Sequence, residues 1–117
     1  MIYDEHIDLV ARLAKPAPDI VKEFDELKAH RVHMAMGIAG EAGELLDAVK
    51  KHVIYNRELD IENVIEELGD IEFYMEGLRA QLGISREDVL SHNIAKLTKR
   101  YGQSYSDDAA KQRADKP

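Results

Sequence analysis

The strongest constraint on this chain is its apolar spacing. Along nearly the whole length hydrophobic side chains recur every three or four positions, with no sustained two-residue alternation. That pattern makes amphipathic helices rather than strands. Residues 61–82 show it best, with Val64, Leu68, Ile71, Met75, Leu78 and Leu82 on one stripe. The prolines of "KPAPD" stop a first helix over residues 4–14, and Asp19 is placed to cap a short segment to about residue 28. A long second helix is expected over 30–53, a connector at "YNRELD", and a third helix over 61–82 stopped by Gly83. In "SRED", Ser85 and Asp88 open a fourth helix to about residue 101. Beyond "YGQSYS", the stretch "DDAAKQRADKP" is polar and frays unless a partner or ligand orders it. The expectation is an all-α helical bundle of four to five helices in a single domain over 1–105, with a polar tail over 106–117.

Composition narrows the function. With 117 residues, 44% of them apolar and 33% charged, the chain suits one soluble helical domain. A formal charge of −7 gives no basic footprint for a nucleic acid polymer. An acidic protein that handles a polyanion needs local positive charge or bound metal cations. The absence of cysteine excludes disulfides and thiolate metal sites. "MIYDEHIDLV" carries charges inside its apolar stretch, unlike a signal peptide, and no run approaches the roughly 18 apolar residues of a membrane span. A soluble cytoplasmic protein with no membrane partner is expected.

Two acid pairs stand out. On the second helix Ile38, Ala42, Leu45 and Val49 form the apolar stripe, with Glu41 at its edge and Glu44 about 60° further round. On the third helix Glu67 borders the stripe and Asp70 lies about 60° beyond it. Antiparallel packing would bring all four carboxylates together. Four such groups raise one another's pKa unless a cation compensates, and Mg²⁺ or Mn²⁺ prefers oxygen ligands. The plainer alternative is four solvated acids on helix flanks. Beside Glu41 and Glu44, "GIAGEAGE" sets Gly37, Gly40 and Gly43 in a helix interior, each costing roughly 0.5–1 kcal/mol relative to alanine. Gly37 and Gly40, with Ala35, Ala39 and Ala42, leave one face nearly bare, so a neighbouring helix or a bound nucleotide is expected to approach there.

The fourth helix carries the opposite chemistry. In "NIAKLTKRYG", Asn93, Lys96 and Arg100 share a face beside the apolar stripe of Val89, Leu90, Ile94, Leu97 and Tyr101. A guanidinium there suits phosphate or carboxylate, and the alternative is a basic last turn that complements the helix dipole. Lys51, seven residues after Glu44, lies nearly above it and can also face phosphate. His30 and His33 make only two ligands, and no Glu-x-x-His pair, nucleophile elbow or phosphate-binding loop occurs.

"GEAGELLDAVKK", "EELGDIEFYMEGL" and "NIAKLTKRYG" together, in this order and spacing, resemble the MazG-like all-α nucleoside triphosphate pyrophosphohydrolases, over about residues 33–105. The hallmark is Glu-x-x-Glu, then Glu-x-x-Asp, then Asn-x-x-Lys…Arg. Many members have a second acid just before the first motif glutamate, where this chain has Gly40. The resemblance implies Mg²⁺-dependent hydrolysis of a (deoxy)nucleoside triphosphate to monophosphate and pyrophosphate. It implies Glu41, Glu44, Glu67 and Asp70 as metal-holding catalytic residues, and Asn93, Lys96 and Arg100, with Lys51, as holders of the triphosphate. It also implies a homodimer or homotetramer with sites near the subunit interface, for which Phe73, opposite the third helix's stripe, is a compatible surface residue. Two other readings compete: a catalytically idle helical dimer that binds nucleotide or metal as a sensor or scaffold, and a helical adaptor with merely solvated acids.

Overall fold

A computed structural model of the chain describes residues 1–113, 115 and 116. The fold is all-α, with no strand among the described residues. Five helices run in order: α1 (Ile2–Leu13), α2 (Ala17–Glu23), α3 (Glu26–Val53), α4 (Ile61–Leu82) and α5 (Arg86–Tyr101). A short α6 (Asp107–Gln112) follows.

Local chemistry sets these limits. Pro16 takes the N-cap of α2, which puts Asp19 in the first turn rather than at the cap. That helix stops at Glu23, before an extended Phe24. Asp25 is the residue that starts α3, four positions ahead of the expected start, because its carboxylate accepts from the Lys28 backbone N–H at 2.8 Å. Asp60 caps α4 by accepting from the Asn63 N–H at 3.1 Å. Gly83 ends that helix at φ 69°, a left-handed turn that suits glycine. Ser85 and Asp88 form the full capping box of α5, each side chain bonded to the other's backbone N–H at 3.0 Å. The Ser85 N–H also holds the Asp88 carboxyl below its ordinary pKa. In the stretch expected to fray, the Ser106 hydroxyl accepts from the Ala109 N–H at 3.1 Å and starts α6.

The main packing is α3 against α4, an antiparallel hairpin closed by residues 54–60, with a smaller contact of α5 on α6. The seam of the hairpin lies toward one edge of the apolar stripes, with Ile38, Leu45, Val64, Ile71, Met75 and Leu78 half-buried. Met34 and Ala48 are buried on α3, and Glu67 and Arg79 on α4, while Val49, Leu68 and Leu82 are exposed. Small residues let the two helices approach closely. A Cβ at Gly37 would collide with the ring of Tyr74, and one at Gly77 would collide with the Met34 sulfur. The expected close approach of a neighbouring helix therefore occurs at Gly37. Gly40 faces open space, with nothing within 4 Å of the point a Cβ would occupy.

The other helices leave their apolar faces uncovered. No residue of α1, α2 or α5 is buried, and Ile2, Ile7, Leu13, Val21 and Ile94 are among the exposed side chains. The chain exposes 9779 Å², whereas a compact 13.3 kDa monomer exposes about 6,500 Å². Its radius of gyration is 20.0 Å, against about 13 Å for a compact chain of this length.

Candidate metal centre on the helical hairpin

Because the seam lies toward one edge of the stripes, the acids at that edge turn inward with it. Glu41 comes from α3, while Glu67 and Asp70 lie one turn apart on α4, so an antiparallel pair brings all three to the same level. One carboxylate oxygen from each lies within 4.8 Å of the others. Glu67 is only 6% exposed, and one oxygen each of Glu41 and Glu67 is buried without a hydrogen-bond partner. None of Glu41, Glu44, Glu67 and Asp70 forms an ion pair with a basic side chain among the described residues.

Such a cluster resists full ionisation. The Glu67 carboxyl is pushed up to about 7, first by its contact with Glu41, which only a shared proton makes favourable. Burial adds to this, as does repulsion from the charges of Glu44 and Glu41. Buried oxygens with no donor are costly unless something satisfies them. An oxygen-only donor set with no protein cation fits a hard divalent ion. Glu44 stands one turn along α3, exposed, close enough to affect Glu67 but outside the three-acid cluster.

A cleft of about 520 Å³ opens beside the cluster, lined by Gly40, Gly43, Glu44, Asp47, Asn63 and Glu67. Gly40 and Gly43 give it a floor without side chains. Asp47 and Asn63 lie outside the acid pairs that the sequence singles out. Asp47 extends the spacing of Glu41 and Glu44 by three more residues, and Asn63 lies four before Glu67; continuing each motif by one turn finds both. Lys51 is at this end of the hairpin too, paired with Asp47 at 3.0 Å.

The fourth-helix candidates sit apart from the acids within the chain. Asn93 lines a hollow with Ile94, Leu97, Tyr101 and Tyr105, and Lys96 lines another with His92, Lys99 and Asp115. Arg100 donates through Nε and Nη2 to Asp115 at 2.7 and 3.2 Å. At the other end of α5 Arg86 pairs with Glu72 of α4 at 3.8 Å, but none of these hollows joins Asn93, Lys96 or Arg100 to Glu41, Glu44, Glu67 or Asp70. His30 bonds the Gly77 carbonyl at 3.2 Å and His33 meets Tyr74 edge-on. Among the described residues no histidine joins a group of three possible metal ligands.

A family model described as the MazG nucleotide pyrophosphohydrolase domain matches residues 30–104, which span α3, α4 and α5. No curated protein and no solved structure matches the chain significantly. The chain belongs to the MazG nucleotide pyrophosphohydrolase family.

Proposed function

We propose that this member of the MazG family hydrolyses a (deoxy)nucleoside triphosphate, with one water, to the (deoxy)nucleoside monophosphate and pyrophosphate. The observation that carries the reading is the cluster of Glu41, Glu67 and Asp70, in which buried oxygens of Glu41 and Glu67 lack partners. These three residues, with Glu44 beside them, are the ones to hold Mg²⁺, or Mn²⁺ in its place. Bound there, the ion supplies neutralisation of phosphate charge and polarisation of the phosphoryl group under attack.

The chain's own residues supply the rest. Glu67 must give up its proton before it can serve as a ligand. Glu44, exposed at the cleft wall, has the position from which a carboxylate takes the proton of an attacking water. Gly40 and Gly43 leave room for substrate along α3. Lys51, Asn93, Lys96 and Arg100 bind the triphosphate and offset charge as the displacement proceeds. Residues of α5 reach the acids only in an assembly, so the working form is a homodimer or homotetramer. The excess surface of about 3,300 Å² over a compact monomer supports this, being of the size that permanent interfaces cover.

A panel of NTPs and dNTPs with Mg²⁺ or Mn²⁺, read by pyrophosphate release, tests the proposal. Release from at least one substrate is expected. Binding of triphosphate without any release would identify a sensor or scaffold instead.

A further inference from the structure

Arg100, which the proposed function assigns to the triphosphate, already holds an anion. Both oxygens of Asp115 face its Nε and Nη2, at 2.7 and 3.2 Å. The two side chains are only 14% and 5% exposed. Arg79, which is buried, is different: it contacts one oxygen of Glu76 and lies 3.9 Å from Glu72, both on its own helix. The Arg100–Asp115 pair instead ties the segment after α5 back onto that helix. Arg113 makes the return possible, since it ends α6 at φ 49°, a left-handed conformation uncommon outside glycine. Lys96 adds its charge to the field around Asp115, and the Tyr101 and Tyr105 rings pack 5.3 Å apart alongside.

A guanidinium fork accepts carboxylate and phosphate with the same two-point geometry. We propose that Asp115 is an internal occupant of a phosphate subsite formed by Arg100 and Lys96, and that a substrate phosphate must displace it. Helix α6 with Asp115 is then a strap that competes with substrate for α5. The inference rests on the reading of Arg100 as a triphosphate ligand. A competitor of this kind raises the apparent KM by the reciprocal of the open fraction, leaving the chemical step alone. If the strap is closed for about two thirds to nine tenths of the time, the factor is about threefold to tenfold.

The test pairs a kinetic measurement with one that needs no turnover. In Asp115→Asn the carboxamide loses the charge that holds the fork. Its KM for a triphosphate is expected to fall about threefold to tenfold with kcat unchanged. In the wild-type chain, inorganic triphosphate is expected to speed tryptic cleavage after Lys111 and Arg113, because it frees the strap. Asp115→Asn should be cut rapidly with or without it. Wild-type cleavage that ignores triphosphate, or a KM that stays the same or rises in Asp115→Asn, overturns the proposal and leaves the pair a structural tie. If no nucleotide is turned over, the catalytic reading fails and the cleavage result alone decides this one.

Discussion

The α3–α4 hairpin and helix α5 are both amphipathic, both carry charged residues beside an apolar stripe, and they end in opposite states. In the hairpin small residues let two helices close on each other, and the closure buries Met34, Ala48, Glu67 and Arg79. On α5 nothing is buried; Val89, Leu90, Ile94 and Leu97 stay exposed although their spacing is as regular as that of α4. The same periodicity therefore describes one surface that has found its partner inside the chain and one that has not. The candidate metal-binding acids sit on the first kind and the candidate phosphate-binding bases on the second. A catalyst made from both requires the second surface to be covered by something beyond its own hairpin.

The largest effect should come from the hairpin itself. Glu67→Ala or Asp70→Ala is expected to cut turnover by more than about 100-fold, the upper range for losing a group that merely orients a metal ligand. Helicity by circular dichroism should not change. Near-wild-type rates would move the site off the hairpin. Next in size is the test of α5. Ile94→Asp puts a charge on the uncovered stripe, and sedimentation should show the assembly falling to single chains while the hairpin stays helical. An unchanged mass would mean that α5 lies outside the interface.

Smaller effects probe the closure of the hairpin. Gly37→Ala drives a methyl into the Tyr74 ring and should cost about 1–3 kcal/mol in chemical unfolding. Proton linkage gives a further check. Because Glu67 titrates near 7 rather than 4.5, the native metal-free chain keeps a proton that the unfolded chain has lost. Its contribution to stability is present below about 4.5 and disappears as the pH rises through about 7. Divalent-ion affinity must run the other way, rising about tenfold per pH unit up to about 7 and levelling above it, as titration calorimetry would show. Affinity flat from about pH 5 to 8 would remove Glu67 from the ligand set. The smallest effect is expected at Gly40, where the site is open: Gly40→Ala should stabilise by about 0.5–1 kcal/mol. Gly40→Leu, which fills the cleft, should raise KM.

Much of the fold is legible in the sequence because its signals are local. The limits of α4, the stop at Gly83 and the cap at Ser85 follow from spacing and side-chain chemistry within a few residues. The start of α3 is missed because α2 ends at Glu23 and a new helix begins directly at the Asp25 cap, a break with no proline or glycine to mark it. The stretch 106–117 reads as frayed, since neither a six-residue helix nor a bond from residue 100 to residue 115 leaves a pattern in apolar spacing. In the site, matching offsets on two helices point to Glu41, Glu67 and Asp70, and these meet. Glu44 shares their spacing but stands one turn further along α3, exposed at the cleft and outside the three-acid cluster. The separation of α5 from the acids has no sequence signal, since periodicity records that a face is apolar and not what covers it.

The Gly37–Tyr74 and Met34–Gly77 contacts have a consequence for ion choice. Together they act as a gauge block, setting the gap between helix axes one and two turns from the carboxylates. Mg²⁺ holds oxygens at about 2.0–2.1 Å and Ca²⁺ at about 2.3–2.6 Å. If the three acids hold an ion as proposed, its fit by radius is set in part by residues that do not touch it, and discrimination among cations should change when Gly37 or Gly77 is replaced.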